Sequence, residues 1–123
     1  MPLRVLWPHN FDPEKENSGV FMHLLADAFE IDDLYIQKHY LGNLRNPLSL
    51  LTAARALRKT ASSFDVVHAQ FGSACGLVSS AADAPRVLSL RGSDFYFIRH
   101  GPVWPQAHGR LANSMTLGSI GRY

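Results

Sequence analysis

Two short apolar segments in the middle of this 123-residue chain each end at polar residues and a glycine. Residues 66–70 and 87–91 have the length of buried strands, and a small-residue segment of helical length separates them. In a parallel α/β sheet, ligands bind beyond the carboxyl ends of the strands. The first candidates for chemistry are therefore the side chains at these two ends: His68, Gln70, Phe71, Arg91, Gly92, Ser93 and Asp94.

Arg91 has the most specific chemistry of this group. Its guanidinium stays protonated and cannot act as a base, but it can hold a phosphate or carboxylate through two hydrogen bonds. Ser93 and Asp94 can contact the same ligand or can cap the turn that follows. The structural alternative is a surface ion pair between Arg91 and Asp94, worth less than about 1 kcal/mol.

The residues at the end of the earlier segment can contact a sugar. Gln70 can hydrogen-bond a hydroxyl group, and Phe71 can pack against the face of a ring. Packing of the same two residues against a neighbouring domain is the other interpretation. His68 lies inside the segment, where a lone histidine is more often a satisfied polar group of the core than a catalyst.

Gly19 marks a further candidate site near the amino terminus. It opens a predicted helix that follows a polar loop, and the free amides of a helix amino terminus suit a phosphate or carboxylate. Glycine lets the backbone approach such a ligand closely, and Asn17 or Ser18 is the expected N-cap. The alternative is a simple turn glycine, because the dinucleotide fingerprint G-x-G-x-x-G is absent.

Apolar segments alternate with helical patterns along the whole chain, which predicts a parallel sheet covered on both faces. With right-handed crossovers the strand order is 2-1-3-4, a Rossmann-like α/β sandwich of three layers. Loops 9–19, 70–76 and 91–97 then converge where the order reverses. Predicted strands are 3–8, 34–37, 66–70 and 87–91, and predicted helices are 19–30, 48–60, 74–82 and about 106–120.

Composition narrows the functional classes. The length fits one domain, residues 1–123, and the net charge of +2 comes from scattered basic residues, which is no footprint for nucleic acid. Cys75 is the single cysteine, and the histidines lack ligand spacing, so we expect no metal and no cofactor. The sequence contains no apolar run of membrane-spanning length and no secretory signal pattern, which favours a cytoplasmic location.

Three segments together resemble a known family. They are "LRVLWPHNFDPEKENSGVFMHLLADAF", "FDVVHAQFG" with "APRVLSLRGSDFYF", and "RLANSMTLGSIGRY". In order and spacing they are similar to the amino-terminal domain of retaining glycosyltransferases with the GT-B fold, family 4 or "group 1". The resemblance covers nearly the whole chain.

The resemblance implies a hexosyltransferase that moves a sugar from a nucleotide-sugar to a sugar, lipid or small-molecule acceptor. Gly19 would then face the donor diphosphate, and its neighbours would face the acceptor. Many family members have histidine where this chain has Arg91, which favours electrostatic positioning over a histidine-dependent role. The family's carboxyl-terminal donor-binding domain has no counterpart here, so we expect this chain alone to be inactive and to have that domain as its partner.

Two other classes remain open. A stand-alone flavodoxin-like module would have the same strand order and would hold a flavin or nucleotide, but a Ser/Thr-rich phosphate loop after the first strand is missing. An acyl-transfer hydrolase would need a positioned nucleophile, which no motif supplies.

Two surfaces are candidates for contacts with partners. The last helix carries Leu111, Met115, Leu117 and Ile120, and an exposed apolar face there would favour self-association. Residues 48–59 place basic side chains beside an aliphatic stripe, which is compatible with peripheral contact at the inner face of a membrane. The stripe is equally typical of a helix that faces the core, with Leu48, Leu51, Ala54 and Leu57 as its apolar side.

Overall fold

The structure is a computed structural model that describes residues 1–29, 31–91 and 103–123. Strands and helices alternate through these residues. In chain order they are β1 (Leu3–His9), α1 (Val20–Ala28), β2 (Leu34–Tyr40), α2 (Pro47–Ala61), β3 (Val66–Ala69), α3 (Ser73–Ser79), β4 (Arg86–Leu88) and α4 (Val103–Ile120).

The strands form one parallel sheet in the order β2-β1-β3-β4. This confirms the predicted fold class and strand order. The chain turns from β1 to β2 on one side and then passes back to β3 on the other, so the order reverses between β1 and β3. Open α/β sheets bind ligands beyond the carboxyl ends of the strands at such a reversal, and this place, at the ends of β1 and β3, is called the crevice below.

Alternation along β1 separates two apolar layers. Val5 and Trp7 pack with Met22 of α1 on one face, and this face is called the α1 face below. Leu6 points to the opposite face and packs there against Leu57 of α2, with no exposed surface on either side chain. Burying such a side chain contributes about 1.5–3 kcal/mol, so these layers fix which strand ends meet.

The predicted apolar side of α2 was partly wrong. Leu48 and Leu51 are 73% and 48% exposed, whereas the buried positions are Ala53, Leu57 and Ala61. These three positions follow the i, i+4, i+8 pattern of one helix face. Two alanines on that face let the helix backbone lie close to the sheet around Leu57, and Leu48 and Leu51 are left in solvent.

Several boundaries differ from the prediction. The strand β2 continues to Tyr40 because all seven of its residues pair with β1. The predicted N-cap of the first helix was also wrong: Gly19 itself is the N-cap of α1, and no side chain caps it. Asn46 is the side-chain cap that the structure does show, since its Oδ1 accepts from the Ser49 amide at 2.8 Å at the start of α2.

The last helix exposes three of the four apolar side chains singled out in the sequence, and the fourth, Met115, is half-buried. Leu111, Leu117 and Ile120 are 58%, 68% and 43% exposed. On its inner side, α4 packs against α3, and Ser119 is fully buried. None of the described helices combines the length and the apolar character needed to cross a membrane.

Candidate functional site

The first turn of α1 follows β1, where the strand order reverses, and it begins at Gly19. This glycine is buried and has a left-handed backbone with φ 69°. A Cβ atom at this position would lie 2.8 Å from Cβ and Cγ of Phe11. No side chain caps this end of α1. The Met22 and His23 amides donate to the Gly19 oxygen, so it is the Val20 and Phe21 amides that keep a capacity to bind an anion.

Replacing Gly19 by alanine is therefore expected to destabilise the protein by about 1–3 kcal/mol, from the left-handed backbone and the collision with Phe11. Gly42→Ala is the matched control, since Gly42 also has a positive φ of 84° but a Cβ atom added there would have nothing within 4 Å. Urea unfolding of the two variants measures the difference. Equal losses would show that Phe11 moves aside at no cost.

Arg91 lies directly beside this turn. Its guanidinium carbon is 4.5 Å from the centre of the Phe21 ring, a cation–π contact with α1. Its Nε donates to the backbone oxygen of Gln70 at 3.3 Å, and its Nη2 donates to Gln70 Oε1 at 3.1 Å. These contacts join the end of β3 to the first turn of α1 and hold a positive charge at the crevice.

Gln70 is fully buried, and both ends of its amide are engaged. Its Nε2 donates to the backbone oxygen of His68 at 3.1 Å, while its Oε1 accepts from Arg91. In this conformation Gln70 orients the guanidinium of Arg91. Because Gln70 is buried and Arg91 is exposed, a ligand would contact Arg91 first. The predicted contact between Gln70 and a hydroxyl group is not tested by this geometry.

Aromatic rings line the approach between β1 and β3. Phe11 makes edge contacts with Phe21 and Phe71, at centroid distances of 5.2 Å and 6.0 Å, and stacks on His9 at 5.9 Å. Phe71 and Phe11 are half-buried, so part of each ring faces outward. Ring faces of this kind suit the apolar face of a sugar or a base.

His68 lies on the α1 face of β3 and has two neighbours. Its Nε2 is 2.7 Å from Ser89 Oγ, and its ring meets Trp7 edge-on at 5.6 Å. Burial, followed by the charge of Arg91, lowers the pKa of His68, so the ring is neutral at pH 7 and shares one hydrogen bond with Ser89. This is a satisfied polar pair at the edge of the core, close to the site.

Sequence reasoning missed Ser89 and Ser73. Ser89 follows β4 directly, and its position beside His68 follows from the pairing of β3 with β4. Ser73 opens α3 with a left-handed φ of 48°, and its amide donates to Thr116 Oγ1 at 2.6 Å. That bond ties the loop after Phe71 to α4, and no local pattern in the sequence signals it.

A group of basic side chains surrounds His9 at the end of β1, on the other side of α1 from Arg91. Lys38 Nζ donates to His23 Nδ1 at 2.9 Å, which joins β2 to α1. Burial, followed by the charges of His23, His39 and Lys38, lowers the pKa of His9 from 6.5 to about 4. Burial also lowers the pKa of His39. We call Lys38, His23, His9 and His39 the Lys38 cluster.

The opposite edge of the sheet holds a hollow of about 450 Å³ that is rich in arginine. Its arginines have structural partners: Arg86 donates to backbone oxygens of Ala82 and Arg122, and Arg58 pairs with Asp83. The Ala82 oxygen lies just after α3, where a cation complements the helix dipole. This hollow therefore belongs to the framework of the fold.

The remaining predicted site residues have different outcomes. Asn17 is exposed and Ser18 half-buried in the loop before α1, where the Ser18 amide donates to the Lys15 oxygen at 3.0 Å. The predictions for Gly92, Ser93 and Asp94 fall outside the described residues. Within the described ranges, no group of three or more His, Cys, Asp or Glu residues has an arrangement that could hold a metal ion.

Comparison of the chain with protein-family models, curated proteins and solved structures found no match.

Proposed function

We propose that this chain is the acceptor-side domain of a retaining GT-B glycosyltransferase, and that the crevice at the carboxyl ends of β1 and β3 takes part of a nucleotide-sugar and its acceptor. The observation that carries the proposal is the adjacency of two anion-binding elements. The uncapped first turn of α1, opened by Gly19, lies next to the Arg91 guanidinium on Phe21.

A diphosphate needs both kinds of group. Backbone amides at a helix amino terminus contact phosphate oxygens at short range, and a guanidinium adds charge and directional hydrogen bonds. The aromatic edges of Phe11 and Phe71 supply the apolar contact that a sugar ring requires. The sequence resemblance implies that Gly19 faces the donor diphosphate and that Arg91 stands where many family members have a histidine close to the transferring sugar.

The chemical contribution of these residues is stabilisation of charge. Sugar transfer develops positive charge on the sugar carbon and negative charge on the departing diphosphate. Arg91 is positioned by Gln70 before the ligand arrives, so its charge requires little reorganisation during the reaction. His68 is neutral and paired with Ser89, so in this proposal it supports the site and does not transfer a proton.

In this proposal, turnover requires a donor-binding domain, which holds the nucleotide. The chain by itself then binds nucleotide-sugars weakly and does not transfer sugar. Its surface beside the crevice, including the exposed faces of α1 and α4, is available for such a domain and for self-association. The exposed leucines and basic residues of α2 are compatible with peripheral contact at an anionic membrane.

The test is two-dimensional NMR of the isotopically labelled chain during titration with UDP-, GDP- and ADP-sugars. We expect saturable binding near millimolar affinity, about 4 kcal/mol, with the largest shifts at the amides of Val20 and Phe21 and at the Arg91 side chain. A matched titration with the free sugar controls for contacts that need no diphosphate.

Two results would contradict the proposal. Shifts confined to residues far from Gly19 and Arg91 would remove the crevice from consideration. Tight binding of a flavin at the same edge, visible in the absorption spectrum, would favour the flavodoxin-like alternative instead.

A further inference from the structure

The Lys38 cluster combines a cation with imidazole groups at the end of β1 and β2. Lys38 is paired with Trp7 in the register of the two strands, two residues before the pair of His9 and Tyr40. Both Lys38 and His9 therefore lie on the α1 face, and His23 approaches from α1 to meet Lys38 at 2.9 Å. Three separate elements bring these groups together.

In the hydrogen bond between Lys38 and His23, Lys38 must be the donor. An ammonium group has donors and no acceptor, so Nδ1 of His23 accepts and the ring proton lies on Nε2. The pair thus presents further N–H donors from both residues. Burial, followed by neighbouring positive charges, keeps His9 neutral at pH 7, so the net positive charge of the group there rests chiefly on Lys38.

This charge has no carboxylate in contact within the described part of the chain. Asp27 lies one turn beyond His23 on α1 and lines the same hollow as Lys38, but the two residues form no ion pair. An exposed ammonium that donates to an imidazole nitrogen, with the buried His9 on the same face of the sheet, attracts an anion. Asp27 opposes that preference and limits it.

A hollow of about 340 Å³ lies beside Lys38, between α1 and β2. Its walls include Leu34, Ile36 and Phe29, which are apolar and partly exposed. An anion that binds Lys38 can therefore carry an organic group into this hollow. The combination favours an organic phosphate over an inorganic ion.

We propose that Lys38 and His23 bind the phosphoryl group of an organic phosphate, whose organic part occupies the neighbouring hollow between α1 and β2. This site is separate from the Arg91 site. Phe21 and His23 are two residues apart on α1 and hence point about 200° apart around the helix axis. Arg91, which contacts Phe21, and Lys38, which contacts His23, therefore lie on opposite sides of α1 near its amino terminus.

The hollow leads from Lys38 toward Leu34 and Phe29, at the amino end of β2 and the carboxyl end of α1. The organic part of the phosphate therefore lies away from the crevice. This site goes beyond the proposed function and does not depend on it.

Calorimetric titration of the chain with three phosphates at low salt tests the site. Inorganic phosphate probes the anion alone, glucose 6-phosphate probes a soluble sugar phosphate, and monomeric octyl phosphate probes the head group and chain of a lipid. Lys38→Met is expected to weaken binding of the best ligand about 10- to 100-fold, because a charge-assisted contact is lost. Lys59→Met is the matched control, since Lys59 is an exposed lysine in the last turn of α2.

NMR titration of His9 supplies a second readout that is independent of heat signals. Sulfate is the probe here because its charge does not change over the pH range used. Bound sulfate favours charged His9, so the pKa of His9 should rise from about 4 toward 6.5 in the unaltered chain and in Lys59→Met. His23, His39, Lys38 and Asp27 are the other charged or titratable groups around it, and Lys38→Met should abolish most of the rise.

The outcomes separate cleanly. Preference for glucose 6-phosphate assigns a soluble phosphate as the ligand, and preference for octyl phosphate assigns a lipid phosphate. Equal losses in Lys38→Met and Lys59→Met, or no saturable binding of any of the three, would overturn the site. Phosphate binding that survives Arg91→Ala, together with no nucleotide-sugar binding by the unaltered chain, would keep the site and reject the proposed glycosyltransferase function.

Discussion

Replacement of Arg91 by alanine is expected, under the proposed function, to lower the kcat/KM of an enzyme that contains this domain by a factor of about 10 to 1,000. One lost charge-assisted contact to the transition state corresponds to roughly 1.5–4 kcal/mol. The structure adds a stability cost to this prediction. Gln70 is fully buried, and its Oε1 loses the Arg91 donor, so we expect the free energy of unfolding to fall by about 1 kcal/mol as well.

Two further substitutions separate the chemical role of Arg91 from its structural one. Arg91→Lys keeps the charge but loses the planar pair of donors that faces Gln70, so it should recover part of the activity. Arg91→His restores the residue more common in the resembled family and should retain more activity than alanine. Arg58→Ala is the arginine control, because Arg58 pairs with Asp83 at the opposite edge of the sheet.

Steady-state kinetics and thermal melts of these variants decide between the roles. A site residue shows a loss of kcat/KM that remains at temperatures well below every melting point. If activity and stability fall in proportion across the series, or if Arg91→Ala turns over like the unaltered enzyme, Arg91 belongs to the framework.

The strand order was predictable because few arrangements satisfy the rules for parallel sheets. Short apolar segments alternate with helices, and right-handed crossovers of that pattern leave 2-1-3-4 as the natural order. The positions of Gly19 and Arg91 at one edge follow from that order. Their adjacency across Phe21 does not, because it depends on the direction of a long side chain.

Helix faces were harder to predict than strand order. A helix such as α2 has leucines on more than one side, and its sequence does not say which side meets the sheet. The structure buries the alanines at 53 and 61 and exposes Leu48, since close backbone packing suits small side chains. Gln70 was also hard to predict. A residue directly after a strand was expected in solvent, whereas Gln70 is fully buried and accepts from Arg91.

The Lys38 cluster was missed because its members are far apart in the sequence and form no spacing motif. His9, His23 and Lys38 come from three elements, and only the register of β1 with β2 places two of them on one face. A predicted β2 of seven paired residues would have placed Lys38 on the same face of the sheet as His9. The predicted strand ended at residue 37 with a loop expected from His39, whereas Lys38, His39 and Tyr40 all pair with β1.

His9 is expected to make the protein sensitive to mild acid. Burial, followed by the charges of His23, His39 and Lys38, lowers the pKa of His9 in the folded state to about 4, against 6.5 in the unfolded chain. The unfolded state therefore takes up the proton first as the pH falls. The contribution of neutral His9 to stability is complete above about pH 6.5 and is lost progressively between pH 6.5 and pH 4, by up to about 3 kcal/mol.

Urea unfolding at several pH values measures this loss, and His9→Phe provides the comparison. Phenylalanine keeps an aromatic ring between Phe11 and Tyr40 and removes the titrating group, at the cost of an acceptor for the Phe11 amide. We expect His9→Phe to be less stable than the unaltered protein at pH 7.5 and to have a much flatter pH profile below 6.5. Burial lowers the pKa of His39 and His68 in the same direction, so a residual slope should remain. If the two profiles fall in parallel between pH 6.5 and pH 4, the acid sensitivity arises elsewhere and His9 is not its source.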